Sequence, residues 1–368
     1  MLSTIKKVWD MLKLIPRGGP ALCNVAVTNC CNASCDFCNF ACNKHHVSKL
    51  CWIDAHKFES ALEILYSRDV RYVCFFGGEP LLHPHLPEMI SMVAARNMGP
   101  IVITNGWLLR DRLEKLAEAG LKTVYISIDS ARLEEHEANR GLPGLGERIG
   151  TANAHMPSLG MMPLAQVTMS KLIGDYQELI PALRDLGFAG VAFSYPQRSC
   201  LGSTSLVWSS ESALVDFTDL ELIEAFDAVD DLRSAFPVLN PRASVAEIRR
   251  HLRHESEHFP CYGGYKGFYM DWNYDIWRCD AWNRQMCSVW DFTDIPLVRD
   301  GCTECIACYR DLSVMLHFAV ALGDALSQMA KGHVLSALKI LADRRNAGSI
   351  AAVIENSGIR SRMAKVGN

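Results

Sequence analysis

The 368-residue chain has no uninterrupted apolar run near the roughly eighteen residues that a membrane-spanning helix needs. A basic surplus is also missing: 37 Lys and Arg stand against 41 Asp and Glu, for a net charge of −4. Nucleic-acid surfaces usually carry excess positive charge, so no nucleic-acid partner is expected. The opening MLSTIKKVWDMLK lacks the continuous apolar stretch of a secretory signal, because Lys6, Lys7, Asp10 and Lys13 interrupt it. Internal repeats and low-complexity segments are absent as well. These absences point to a cytoplasmic protein, and the length suits one large domain with an extension.

What the chain has in abundance is cysteine, 15 in all. In a reducing compartment disulfides rarely persist, so clustered thiols read as metal ligands or redox groups. Five of them fall within TNCCNASCDFCNFAC, residues 28–42. There, Cys31, Cys35 and Cys38 form C-x3-C-x2-C, a frame that no neighbouring register repeats. Cys30 starts no C-x3-C, and a frame beginning at Cys38 and Cys42 would need a third cysteine where His45 stands. Three thiolates leave one tetrahedral corner open. Cys42, His45 or His46 could close it around a structural zinc. An iron–sulfur cube would instead keep one iron free for a further ligand.

Six runs rich in β-branched and aromatic residues read as strands: 21–28, 71–78, 100–106, 122–130, 163–170 and 190–196. Between them Phe58, Leu62 and Leu65 share a helical face, as do Leu109, Leu113 and Leu116, and Leu179, Leu183 and Leu186. Alternating strands and helices imply an α/β fold, a partial (β/α)6 TIM-like barrel with parallel strands and its chemistry at their C-terminal ends. The cysteine loop follows the first of these strands, and Gly77-Gly78-Glu79-Pro80 follows the second. Two residues without Cβ allow close backbone approach, and the Glu79 carboxylate can accept from an ammonium group.

C-x3-C-x2-C with Phe37 before its last cysteine, on the loop after the first strand, together with GGEP after the second, resembles the radical S-adenosylmethionine (SAM) superfamily over residues 20–200. The resemblance implies that Cys31, Cys35 and Cys38 hold a 4Fe–4S cluster whose fourth iron chelates SAM. Reduction then yields a 5′-deoxyadenosyl radical. It further implies that Phe37 lies beside the cofactor and that the Gly77-Gly78-Glu79 loop takes the SAM amino group. Arg140, in HEANRG, could pair bidentately with the SAM carboxylate. Ser127 and Asp129, at the end of strand four, could bond ribose hydroxyls. Thr104, Asn105, Thr168 and Ser170, also at strand ends, are equally suited to turn contacts.

A second cysteine group lies at 259–308. Cys261 and Cys279 flank an aromatic segment that reads as a hairpin turning near Asn273–Asp275, and Cys302, Cys305 and Cys308 follow as C-x2-C-x2-C. This arrangement resembles the one-cluster, twitch-like relative of the SPASM extension. That likeness implies a second auxiliary iron–sulfur cluster on four of these five thiols, Cys308 being the substitute or spare, with zinc as the alternative. Residues 201–258 read as a helical connection. The ends, 1–19 and 312–368, read as an amphipathic helix and a helical tail with basic residues, which can lie on a membrane surface or pack on the domain. The layout is similar to that of radical SAM enzymes acting on hopanoid lipids. The expected function is therefore a radical SAM enzyme that modifies an organic small molecule or lipid, with a reductant such as a flavodoxin or ferredoxin and a peripheral contact at the inner membrane surface. The alternatives are a peptide- or metabolite-modifying SPASM or twitch enzyme and a non-catalytic iron–sulfur or zinc protein.

The cysteine frame makes a direct prediction. Alanine at Cys31, Cys35 or Cys38 should abolish reductive SAM cleavage and iron binding at that loop. Alanine at Cys30 or Cys42 should leave both in place, and loss of cleavage in either with fold and iron retained would show the frame to be wrong.

Overall fold

In a computed structural model of the chain, the described residues are 10–41, 49–196, 212–281, 285–303, 306 and 309–366. All six expected strands form: β1 (Ala21–Thr28), β2 (Val70–Gly77), β3 (Gly99–Thr104), β4 (Thr123–Ile128), β5 (Met162–Thr168) and β6 (Gly190–Ser194). Each pairs in parallel with the next. The crossovers carry helices α1 (Ala55–Ser67), α2 (Leu86–Ala95), α3 (Leu109–Glu118), α4 (Leu133–Arg140), α5 (Leu145–His155) and α6 (Leu179–Asp185). Their apolar faces meet the sheet: Phe58, Leu62, Leu65, Leu109, Leu113, Leu116, Leu179 and Leu183 are at most 1% exposed. Local signals start and stop these elements. The Asp54 side chain, for example, caps α1 by accepting from the His56 N–H at 3.0 Å.

The sheet stays open. β6 forms one edge, while at the other β7 (Gly267–Met270) pairs in parallel with β1 and leads into antiparallel β8 (Asp275–Trp277) and β9 (Gln285–Ser288). The cysteine-rich segment thus extends the barrel sheet itself. Its hairpin turns where expected. Asp271 accepts from the N–H groups of Asn273 and Asp275 at 2.8 and 3.1 Å, and Tyr274 takes a positive φ of 68°. Before it come α7 (Asp219–Leu232), opened by a Thr218/Glu221 capping box, and α8 (Arg242–Leu252).

The tail read as helical over 312–368 is three helices, α9 (Tyr309–Ala330), α10 (Val334–Leu341) and α11 (Arg344–Val366), with a break at Gly332, φ +81°, between the first two. By length and composition α9 is apolar enough to cross a membrane, with a mean hydropathy of 1.3, although no uninterrupted apolar run is that long. His317, Asp324 and several small residues interrupt the run without lowering its mean enough, and 39% of that window is buried against the protein. At the other end, Leu14 is buried and Gly18 lies against α9, so close that a Cβ on Gly323 would sit 2.8 Å from the Gly18 nitrogen. Of the amphipathic helix expected over 1–19, residues 1–9 lie outside the described residues.

Candidate active site

Alternation along the strands decides what faces inward. Leu22 and Asn24, Cys74 and Phe76, Ile101 and Ile103, Tyr125 and Ser127, and Gln166 and Thr168 line a cavity of about 410 Å3 in the concave face of the sheet. Cys31, Cys35, Phe37, Cys38, Gly77, Gly78 and Arg140 line it too, so most of the residues expected in a cofactor site share one space.

The cysteine loop is held from three sides. At its base the Thr28 hydroxyl donates to the Cys51 carbonyl at 2.7 Å, and the Asn29 amide donates to Lys49 O at 2.9 Å. Beside it the Ser34 N–H donates to Arg140 O at 2.9 Å, and the Asp36 N–H to Asn139 at 3.1 Å. From β2 the N–H of Gly78 donates to Thr28 O and that of Glu79 to Cys30 O, both at 2.8 Å. A Cβ on Gly78 would fall 2.0 Å from the Cys30 oxygen, so the second glycine permits contact between the two loops. Burial pushes the Cys35 thiol up to about 12, with the Arg140 guanidinium pulling the other way. Burial and then the Glu79 carboxylate raise Cys31 as well.

Three soft thiols and no carboxylate or imidazole among the lining residues of that loop form a donor set that suits an iron–sulfur cluster. A coordinating cation inverts the effect of burial and holds such thiols deprotonated. Among the described residues no three His, Cys, Asp or Glu side chains converge tightly enough for a single metal ion.

Glu79 is 1% exposed and already accepts from Thr104 Oγ1 at 2.6 Å, Asn105 N at 2.8 Å and Leu81 N at 3.0 Å. Two carboxylate oxygens offer about four acceptor positions, which leaves about one for an ammonium group. Thr104 and Asn105 therefore tie the ends of β2 and β3 together. Arg140 donates from Nη2 to Asp129 Oδ1 at 2.6 Å, while its buried Nε has no partner and the side chain faces the cavity. The other Asp129 oxygen accepts from Asn139 at 2.9 Å. Of Ser127 and Asp129, Ser127 lines the cavity and Asp129 lies behind Arg140.

Outside the cavity lining, Cys261 and Cys279 both lie against Gly263, whose Cβ position is 3.5 Å from the Cys261 sulfur and 3.7 Å from the Cys279 Cβ. Cys302 is near enough to Cys261 to oppose its ionisation. Cys305 and Cys308 lie outside the described residues. Asp280 is a lining residue that motif reading missed. Its Oδ1 is buried without a hydrogen-bond partner, and burial pushes the carboxyl up to about 6. An acid directly after a hairpin cysteine in an aromatic stretch, WRCDAW, was the available signal. Tyr309 lines the same wall and donates to Phe268 O at 3.1 Å.

Residues 25–153 match the radical SAM superfamily. The GTP 3′,8-cyclase of Chlorobaculum tepidum is 34% identical over 113 residues, covering 30% of this chain and 33% of that protein. The PqqA peptide cyclase of Gluconobacter oxydans is 28% identical over 173 residues, covering 46% and 48%. The chain thus spans a third to a half of the length of these relatives. Among solved structures, Streptococcus suis SuiB superposes with a TM-score of 0.57 at 15% identity, over 82% of this chain and 71% of that one. SuiB bound to S-adenosylmethionine gives 0.55 at 14% identity, over 86% and 79%. The partial barrel is therefore this chain's fold. The superfamily that residues 25–153 match uses a 4Fe–4S cluster and SAM.

The Asp129–Arg140 pair yields a stability prediction. Burial by itself would raise Asp129, yet Arg140 and His136 together hold its carboxyl well below the usual range. A depressed folded-state value stabilises the protein above the unfolded-state value near about 3.9, and that contribution is lost as pH falls further. Asp129→Ala should cost about 3–5 kcal/mol at pH 7, because it leaves the guanidinium buried and unpaired. In urea titrations the gap from wild type should narrow below about pH 4, and a gap that does not change with pH would show that Asp129 is not the paired ion.

Proposed function

Because residues 25–153 form a radical SAM domain, we propose that this chain is an enzyme that cleaves SAM reductively and modifies an organic substrate in the barrel cavity. When bound, the cluster and SAM supply a 5′-deoxyadenosyl radical for hydrogen abstraction or addition. The observation that carries the reading is the meeting of Cys31, Cys35 and Cys38, Gly77 and Gly78, and Arg140 with its unpartnered Nε in one cavity.

Each residue then has a task. Cys31, Cys35 and Cys38 hold the cluster, and Phe37 walls it from solvent. Glu79 offers its remaining acceptor position to the SAM amino group. Arg140, fixed by Asp129, meets the carboxylate, and Ser127 meets the ribose. Asp280 Oδ1 accepts a donor, or a proton, from the substrate. Cys261, Cys279 and Cys302, with Cys305 or Cys308, hold an auxiliary cluster, so that residues 20–200 form the SAM unit and 259–311 the auxiliary unit. The apolar wall of Leu22, Phe76, Ile101, Ile103 and Leu312 supports an apolar substrate, which we take to be a lipid reached from the inner membrane surface. A cytoplasmic flavodoxin or ferredoxin supplies the electron. A peptide substrate is the second reading, favoured by the likeness to the PqqA peptide cyclase and to SuiB bound to precursor peptide SuiA.

Anaerobic reconstitution with iron, sulfide, SAM and dithionite should give 5′-deoxyadenosine and about eight irons per chain, from two cubes of four. No 5′-deoxyadenosine from fully loaded protein would overturn the enzyme reading. Stoichiometric zinc with only about four irons would overturn the auxiliary cluster alone.

A further inference from the structure

The least covered part of the fold is the tip where α9 turns into α10. Helix α10, VLSALKIL, is apolar at six of its eight positions, yet only Ala337 is buried. Val334, Leu335 and Leu338 are 53%, 77% and 52% exposed, and Leu326 and Met329 at the end of α9 are 39% and 40% exposed. A helix apolar around most of its circumference is normally covered, and apolar residues grouped in this way mark a contact surface.

Charge narrows what that contact is. Between Leu326 and Arg345 the chain carries Lys331, Lys339, Arg344 and Arg345 against one acid, Asp343, a local balance of +3 on a chain whose net charge is −4. A second copy of the same tip would bring like charges together, whereas an anionic surface would attract it and repel the rest of the molecule. The amino-terminal segment runs toward the same end. Gly19 lies beside Leu316 and Ala319, and Gly18 beside Val320 and Gly323. The Ile15 carbonyl also lies beside Gly323, and Leu12, three residues earlier, is 48% exposed.

We infer that the α9–α10 tip docks on an anionic phospholipid surface, with Val334, Leu335 and Leu338 entering the interface and Lys331, Lys339 and Arg344 meeting the headgroups. This rests on the membrane contact in the preceding reading and gives it a location, but it does not depend on the substrate being a lipid.

The test is co-sedimentation of the reconstituted full chain with phosphatidylglycerol vesicles and with phosphatidylcholine vesicles, at low and at high salt. The expected result is binding to the anionic vesicles at least tenfold tighter than to the neutral ones, weakened by salt. Leu335→Glu with Leu338→Glu should lose at least tenfold, and Lys331→Gln with Lys339→Gln should lose binding while keeping the apolar face. Reductive SAM cleavage without vesicles should be unchanged in both, so that loss of docking is separable from failure of the enzyme reading. Equal binding to both vesicle types would overturn the inference. So would full binding by the Leu335/Leu338 variant, or a wild-type dimer in solution that this variant dissociates.

Discussion

The site depends on one backbone contact, that between the ends of β1 and β2. Gly78 lies so close to the Cys30 carbonyl that a methyl group would overlap it, and Gly77, at φ +128°, passes the Thr28 carbonyl with a Cβ position 2.4 Å from its oxygen. Two N–H donors from this turn bind the cysteine loop, and the Glu79 side chain binds the end of β3. The cysteine loop is thus fixed to β2 by main chain, and the side chains of Thr28, Asn29 and Asn139 brace its base and flank. A motif that sequence reading assigns to ligand contact also performs assembly, and only a residue lacking Cβ satisfies the second task.

Electrostatics follows from that geometry. Three thiols, a glutamate and an arginine share a poorly hydrated space, where an unpaired charge is costly. The chain places Asp129 behind Arg140, and Asn139 and His136 beside Asp129, so the guanidinium is anchored on one side and open on the other. Asp280 contrasts with this arrangement. It has no charged partner at Oδ1, and burial holds its proton to higher pH. The two acids are held oppositely, Asp129 kept anionic to lower pH by Arg140 and His136 and Asp280 kept protonated to higher pH by burial.

Much of this was legible in the sequence because its signals are local. Strand runs such as ALCNVAVT and PIVITNG, separated by helices with leucines three and four apart, specify parallel crossovers without knowledge of distant contacts. The frame of Cys31, Cys35 and Cys38 was equally local. What could not be read depends on partners far along the chain. Nothing near Gly267 announces that β7 pairs with β1 some 240 residues earlier. The seating of Gly18 on Gly323 depends on small residues whose meaning appears only when two backbones touch. The bond from Arg140 to Asp129 at 2.6 Å joins α4 to the end of β4 and has no local signal in the sequence.

The central claim is that three cysteines leave one iron open to SAM. Mössbauer spectra of protein reconstituted with 57Fe, recorded with and without SAM, address it most directly. The account predicts that one iron of the cluster on Cys31, Cys35 and Cys38 changes its isomer shift on binding, while the other three and the auxiliary cluster do not. Spectra that are identical with and without saturating SAM would contradict it.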